Sequence, residues 1–230
     1  MKKIGFIGAY DKTDLLVNLA KILTEMKNRV LVIDSTINQK AKYVVPAINP
    51  TKSYITSFED IDIAVGFNTT EQIKEYIGTS EELPYDILLI DVDTAEKIST
   101  FELENANKNY FVTSFDLYSL KKGLEIFNGV NGTMNLTKIL YSKEILKEED
   151  DYLNFLSLGY KIIWDDERIY FPIENGDLSV LYENQRVQKI KFKRLSVQYK
   201  DSLGFIAQQI LEQRNDSYVR KIIKGIERGM

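Results

Sequence analysis

The stretch Ile4-Gly5-Phe6-Ile7-Gly8-Ala9-Tyr10-Asp11-Lys12-Thr13 opens the part of the sequence that decides the fold. Residues 4–7 form a short apolar run, typical of a buried parallel strand, and the run ends at a glycine. Residues 15–26 repeat apolar side chains at the three- and four-residue spacing of a helix. Residues 29–33 are predicted to form a second buried strand, apolar from Val30 on and closed by Asp34. Strand, tight turn, helix and strand in this order predict a βαβ unit.

The rest of the chain continues the alternation of strands and helices. Strands are predicted at residues 61–65, 87–91, 110–113 and 137–141, and two late strands at 159–163 and 169–171; helices are predicted at 71–77, 117–127, 201–213 and 217–227, and Pro46 and Pro50 mark a loop. This order predicts an α/β protein with a mostly parallel central sheet flanked by helices. No break in composition divides the chain, so residues 1–230 are expected to form a single domain.

Composition excludes several kinds of chemistry. The 230 residues include no cysteine and no histidine, which excludes disulfides, thiolate catalysis and catalysis by histidine. The net charge is −4, so no overall basic field attracts nucleic acid. Met1-Lys2-Lys3 leads directly into the first strand without a signal-peptide pattern, and no apolar run has the ~20 residues that a membrane span needs. A cytoplasmic protein is expected.

The order of motifs resembles the deviant-Walker P-loop NTPases, the family of ParA, MinD and relatives in pilus and secretion assembly. In that family a Lys-Gly-Gly-x-Gly-Lys-Thr loop opens a helix, and the matching stretch here is residues 7–13, followed by Val17-Asn18-Leu19-Ala20. Residues 84–91 are similar to the Walker B segment of the family, and residues 113–120 to its next junction of strand and helix. The resemblance implies a three-layer P-loop NTPase fold.

The resemblance also implies a nucleotide site that holds ATP or ADP with Mg²⁺. The implied cofactor-binding residues are Gly8, Asp11, Lys12, Thr13, Asp14 and, near the base, Pro172; the implied Mg²⁺ ligands are Thr13, Asp34 and Asp91. Lys12 would contact a phosphate, and Asp34 takes the position of an aspartate implicated in water activation. Asp34 is therefore the candidate catalytic residue.

The phosphate loop departs from the family pattern at two positions. Asp11 stands where a glycine would let the backbone approach the phosphates, and its charge would repel a phosphate by about 4 kcal/mol at ~4 Å. Ile7 replaces the lysine that the family uses across its dimer interface. The sequence therefore leaves ATP hydrolysis open, argues against a homodimer that encloses ATP and leaves a nucleotide-independent homodimer open.

The same residues have a structural interpretation. Asp11 could cap the helix by accepting a backbone N–H from near Asp14, while neighbouring carboxylates neutralise Lys12. Asp34 and Asp91 could equally cap turns or helices. Both interpretations stay open at this point.

The last third of the chain is basic. Arg186, Lys189, Lys191, Lys193 and Arg194 place five cations in nine residues, and residues 183–230 contain 11 Lys and Arg against 5 Asp and Glu. Residues 186–194 either bind DNA or form a solvated surface. Residues 218–230 form either an interfacial membrane helix or a helix that docks on the core.

Three functions are consistent with these patterns. The first is a positioning or assembly factor of the ParA/MinD kind, similar to TadZ-like proteins, which binds a protein partner in a conjugation, pilus or secretion apparatus. The second is an active partition ATPase that binds DNA without sequence preference. The third is a membrane-cycling ATPase of the MinD kind.

Overall fold

The computed structural model describes residues 1–47, 51–142, 147–172, 175–213 and 215–229. Pro50, predicted in a loop, and Met230, predicted at the end of the last helix, lie outside the described residues.

Strands and helices alternate along most of the described chain. The strands are β1 Lys2–Ile7, β2 Val30–Asp34, β3 Tyr54–Phe58, β4 Ile61–Val65, β5 Ile87–Val92, β6 Lys108–Ser114, β7 Met134–Ser142 and β8 Ile162–Pro172. The helices are α1 Thr13–Glu25, α2 Ala41–Val44, α3 Thr70–Ile77, α4 Ala95–Thr100, α5 Leu117–Glu125, α6 Lys147–Ser157, α7 Asn175–Val187, α8 Val197–Leu211 and α9 Asp216–Arg228.

Within the described residues, these strands form one sheet in the order β3-β4-β2-β5-β1-β6-β7-β8. The pairs β1·β5, β1·β6, β2·β4, β2·β5, β6·β7 and β7·β8 are parallel, while β3 runs antiparallel to β4 at one edge. Because parallel strands end on the same side, the carboxyl ends of β1, β2 and β5 meet at one edge of the sheet. Asp34 and Asp91 lie opposite each other in the register of β2 and β5 at this edge.

Helices cover both faces of the sheet, which confirms the predicted three-layer α/β fold. Leu89 belongs to a core with side chains of α1, α7, α8 and α9, whereas its neighbours Leu88 and Ile90 belong to a core with side chains of α3, α4, α5 and α6. Alternate residues of a buried strand point to opposite faces, so β5 reads as a continuous apolar run.

Several elements differ from the prediction. The two late strands are one strand, β8, whose register against β7 shifts between Leu136 and Lys138. The shift places Asp165, Asp166 and Glu167 in the middle of an edge strand, where charge and a bulge discourage further pairing, so the apolar pattern is broken there. Helix α8 begins at Val197 and not at residue 201, since the Ser196 hydroxyl caps it by accepting the Tyr199 N–H at 3.1 Å.

The last helix packs on the core. Val219, Ile223 and Ile226 of α9 are buried, and α9 contacts α8 and α1. Of the helices in the described ranges, none has both the length and the apolar character required to cross a lipid bilayer.

Candidate functional site

A cleft of about 400 Å³ opens at the carboxyl edge of the sheet. Its lining comes from the loop between β1 and α1, the loop between β2 and α2, and the end of β5: Gly8, Ala9, Tyr10, Asp11, Lys12, Thr13, Thr36, Asn38, Lys40, Tyr43, Asp91 and Asp93. The structure therefore brings together Gly8, Asp11, Lys12, Thr13 and Asp91 from the predicted site.

The backbone of the loop is anchored to neighbouring strands. Gly8 has a φ of +149°, and a Cβ at this position would lie 2.2 Å from the carbonyl oxygen of Val112 in β6, so only glycine fits. Tyr10 packs against Tyr141 of β7 with ring centroids 4.6 Å apart. Burial, and then the charge of Asp11, raise the pKa of Tyr10 to about 12. An aromatic contact thus holds the loop against β7.

The ammonium group of Lys12 is buried and fully engaged within the protein. Its Nζ donates to the carbonyl oxygens of Gly8 at 2.7 Å and Tyr10 at 3.0 Å, and it forms an ion pair with Asp91 Oδ1 at 3.0 Å. The side chains of Lys12 and Asp91 are only 2% and 4% exposed. Burial raises the pKa of Asp91 to about 7 against the opposing charge of Lys12. Asp91 Oδ1 makes no hydrogen bond of ordinary geometry, so the ion pair is its main contact.

Asp11 links the loop after β1 to Thr13 of α1 and to Lys40. Its Oδ1 accepts the Thr13 N–H at 3.1 Å and the Thr13 hydroxyl at 2.9 Å, and its Oδ2 pairs with Lys40. Burial raises the pKa of Asp11, but the hydrogen bond and charge of Lys40 and the hydrogen bonds from Thr13 outweigh burial and hold the pKa below its usual value. Asp11 thus accepts a backbone N–H next to Asp14, as the structural interpretation expects, but it does so in a turn with the residue two positions on and not as the N-cap of α1. Lys12 occupies the N-cap position without a side-chain cap.

Asp34 holds the loop between β2 and α2. Its Oδ1 accepts the Thr36 N–H at 3.1 Å and the Thr36 hydroxyl at 2.6 Å, and its Oδ2 accepts the Ala41 N–H at 2.9 Å. Asp34 is buried and is not among the residues that line the cleft. These contacts are those of a turn and helix cap.

Two of the predicted cofactor-binding residues lie away from the cleft lining. Both carboxylate oxygens of Asp14 accept from Gln185 Nε2 of α7 at 2.9 Å, and burial raises the pKa of Asp14. Asp14 thus joins α1 to α7. Pro172 ends β8, which β6 and β7 separate from β1. Ile7, at the position of the cross-dimer lysine, is fully buried in the core below the sheet edge.

Sequence reasoning missed two charged residues of the cleft. Lys40 precedes α2 and pairs with Asp11 across 29 positions of sequence. Asp93 follows β5, and both of its carboxylate oxygens accept the Ile37 N–H at 3.1 Å. The signal for Asp93 was available, since it lies two residues after Asp91 at the same carboxyl end.

The charges of the cleft lining are mostly paired with one another. Three carboxylates, of Asp11, Asp91 and Asp93, stand against two ammonium groups, of Lys12 and Lys40, and each ammonium group already has a carboxylate partner. A triphosphate needs free donors and a positive field. Within the described part of the chain, no three or more acidic side chains are grouped so as to hold a metal ion.

Comparison with known proteins identifies the fold. No protein-family model matches the sequence, and no curated protein is significantly similar to it. Solved structures do match: a chain of the MinC:MinD cell division protein complex from Aquifex aeolicus has a TM-score of 0.56 at 14% identity, over 94% of this chain and 98% of that chain. The chain has the fold of the MinD and ParA ATPases.

Two further structures support this identification. A ParA family ATPase from Chlorobium tepidum has a TM-score of 0.53 at 14% identity, over 97% of this chain and 96% of that one. The ATP complex of a McdA variant from Cyanothece has a TM-score of 0.59 at 12% identity, over 94% of this chain and 98% of that one. At such identities the likeness extends to the fold, and the site has to be judged on its own side chains.

Proposed function

We propose that this protein is a ParA/MinD-like positioning or assembly factor that acts mainly as a protein-binding scaffold. In its phosphate loop, ion pairs with Asp91 and Asp11 keep Lys12 and Lys40 from binding a phosphate. The observation that carries the proposal is the buried ion pair between Lys12 and Asp91. The setting offered by the family resemblance is a conjugation, pilus or secretion apparatus.

Opening the loop for a phosphate would have a large electrostatic cost. Lys12 would have to leave Asp91, and an unpaired buried carboxylate costs roughly 3–5 kcal/mol. A phosphate beside Asp11 would in addition displace Lys40 or be repelled. Together these costs offset much of the binding free energy of about 8 kcal/mol that a micromolar ligand has.

Exposed apolar side chains at the same edge support a protein-binding role. Ile37 and Tyr43, which follow β2, are 74% and 78% exposed, and Leu117 and Tyr118, which follow β6, are 58% and 69% exposed. Large apolar side chains concentrated at one edge are typical of protein interaction sites. This edge is our candidate for the partner surface.

Calorimetric titration of ATP and ADP with Mg²⁺ tests whether the ion pairs of Lys12 and Lys40 prevent nucleotide binding. We expect no micromolar binding to the wild type, and we expect Asp11→Gly to gain binding because the substitution removes the repelling charge and leaves Lys40 with only the longer contact to Asp14 at 3.9 Å. The gain should disappear in Asp11→Gly/Lys12→Ala. Micromolar binding to the wild type that is lost in Lys12→Ala would contradict the proposal.

A partner experiment tests the scaffold role itself. Proteins cross-linked to the wild type in cells should also be recovered with folded Lys12→Ala, and they should be lost with Leu117→Glu/Tyr118→Glu. Loss of the same partners in Lys12→Ala would show that the loop is needed for binding and would reject a nucleotide-independent scaffold.

A second candidate function is an active partition ATPase that binds DNA, and the exposed lysines at residues 189, 191 and 193 favour it. This candidate requires ATP turnover that DNA stimulates and that Lys12→Ala abolishes. The absence of turnover in the presence of DNA would remove it.

A further inference from the structure

The charges in and directly behind the cleft do not balance. Two ammonium groups lie among five carboxylates, which belong to Asp11, Asp14, Asp34, Asp91 and Asp93. Lys40 pairs with Asp11 and lies 3.9 Å from Asp14 Oδ2, while Lys12 pairs with Asp91. Once Asp91 is ionised, this region therefore carries more negative than positive charge, and a bound cation would offset the difference.

Asp93 is the carboxylate of the cleft lining without a cation of its own. Both of its oxygens accept the Ile37 N–H at 3.1 Å, and among the described residues no ammonium or guanidinium group lies within ion-pair distance. Asp93 is half-buried, and burial raises its pKa, to which the charge of Asp34 adds. A partly buried carboxylate in such surroundings is stabilised by an added cation.

Asp91 offers a further acceptor inside the cleft. Its side chain is only 4% exposed, and Oδ1 contacts Lys12 Nζ at 3.0 Å without a hydrogen bond of ordinary geometry. In the part of the chain that the structure describes, Asp91 Oδ2 accepts no hydrogen bond either. Buried carboxylates normally accept several hydrogen bonds, so Asp91 keeps unused acceptor capacity toward the cleft that it lines.

The lining of the cleft favours an organic cation over a metal ion. Among the described side chains, no three acidic groups are placed so as to hold a metal ion, and Asp34 already uses both oxygens on donors of its own loop. The volume of about 400 Å³ is that of a small-molecule site. Ala9, Tyr10 and Tyr43 place apolar surface beside the carboxylates, and tyrosine rings attract ammonium groups.

We propose that the cleft binds a free aliphatic diamine or polyamine, with one ammonium group at Asp93 and the next at Asp91. These residues are two positions apart at the end of β5, so their Cα atoms are at most ~7 Å apart, a distance that a short methylene chain spans. Asp34 lies opposite Asp91 in the register of β2 and β5, and its charge offsets the repulsion by Lys12 there. The proposal rests on the proposed function in that Lys12 and Lys40 stay in their ion pairs.

Calorimetric titration of the full chain with 1,4-diaminobutane tests this proposal. At about pH 8 the amino groups are charged, as that of lysine is, and Asp91, with a pKa of about 7, is ionised. We expect one diamine per chain with a Kd below about 1 mM. The monoamine 1-aminobutane should bind at least about tenfold more weakly, because it loses one charged hydrogen bond. Constant ionic strength excludes an effect of general screening.

A matched pair of variants assigns the site. Asp93→Asn keeps an acceptor for the Ile37 N–H but removes the charge, so it should weaken diamine binding at least about tenfold. Asp151→Asn makes the same change at an exposed aspartate of α6, outside the cleft lining, and should alter binding by less than about twofold. Thermal melts check that both variants are folded.

Four outcomes would overturn the proposal. The first is absence of diamine binding to the wild type, and the second is equal binding of the monoamine and the diamine. The third is Mg²⁺ that binds more tightly than the diamine and displaces it, which would show a metal site. The fourth is tighter binding of the peptide amide Lys-Ala-Lys, which would assign the cleft to side chains of a partner protein. All these titrations omit nucleotide, so their failure is distinct from micromolar ATP binding, which would reject the proposed function.

Discussion

The substitution Lys12→Met tests most directly whether the loop lysine is a structural residue. Methionine keeps most of the volume of the side chain but removes the ammonium group that three oxygen atoms surround within 3.0 Å. The carboxylate of Asp91, at 4% exposure, then has no cation beside it. If Lys12 were instead unpaired and available to a phosphate, its replacement would not leave a buried carboxylate without a cation.

The expected loss of stability depends on pH. Breaking a buried ion pair by removing one partner costs roughly 3–5 kcal/mol, a large share of the ~5–15 kcal/mol of a typical domain. Burial already raises the pKa of Asp91 to about 7, and loss of Lys12 raises this pKa further. Asp91 can therefore become neutral at about pH 5.5, but at about pH 8 it has to stay charged or take up a proton at a cost in free energy. The loss should be larger at the higher pH.

Urea unfolding followed by tryptophan fluorescence measures this loss. Trp164 is the only tryptophan, packs against Phe111 with centroids 5.6 Å apart and donates to Ser157 at 2.9 Å, so its emission reports the folded core. Comparison of Lys12→Met, Asp91→Asn and the double variant should give a coupling free energy above about 2 kcal/mol.

Lys122→Met is the matched control for this series, since Lys122 is exposed and its ion pair among the described residues is with Glu125, at 3.2 Å. It should cost less than about 0.5 kcal/mol. A cost of Lys12→Met below about 1 kcal/mol at pH 8, or a coupling that does not differ from zero, would refute the assignment of Lys12 as a structural residue.

Three further predictions concern the same region. Because the folded pKa of Asp91 is raised above the ~3.9 of an unfolded carboxyl, the native state binds a proton that the unfolded state has released; the free energy of unfolding should fall as pH rises from about 4 to 7, and Asp91→Asn should remove this part of the slope in urea titrations. Gly8→Ala should cost more than about 3 kcal/mol or prevent folding, whereas Gly132→Ala, which faces open space, should be nearly neutral in thermal melts. Tyr10→Ala should cost about 1–3 kcal/mol through loss of its contact with Tyr141, and Tyr10→Phe should retain stability by the same measurement.

The central strands could be predicted because burial on both faces leaves a simple pattern. Residues 4–7 of β1, 30–33 of β2 and 87–90 of β5 are continuous apolar runs in the sequence, and the helix α1 after β1 has regular apolar spacing. β8 lacks such a pattern, because it is an edge strand with a register shift and three acidic residues in its middle. Helix α6 was not predicted for a similar reason: its first turn contains Glu148, Glu149 and Asp150, so the apolar spacing of a helix is absent there.

The part of the candidate site that the order of the strands determines could be predicted from the sequence. Lys12 and Asp91 meet because β1 and β5 are adjacent parallel strands that end at the same edge, which follows from their apolar pattern and order. Lys40 could not be predicted, because its pairing with Asp11 depends on the path of the loop between β2 and α2. The contact of Asp14 with Gln185 could not be predicted either, because Gln185 lies on helix α7, which the sequence pattern did not reveal.

The opposite charges of the two concave surfaces affect how nucleotide binding must be interpreted. The cleft holds more carboxylates than ammonium groups, whereas a second groove, lined by Lys21, Glu59 and residues 189–193 and 226–229, offers cations without described partners. An added nucleotide therefore finds a more favourable field in the groove than in the cleft. Weak ATP binding that survives Lys12→Ala but is lost in Lys189→Glu/Lys191→Glu/Lys193→Glu would belong to the groove. Only binding with the reverse dependence on these variants would show that the phosphate loop still works.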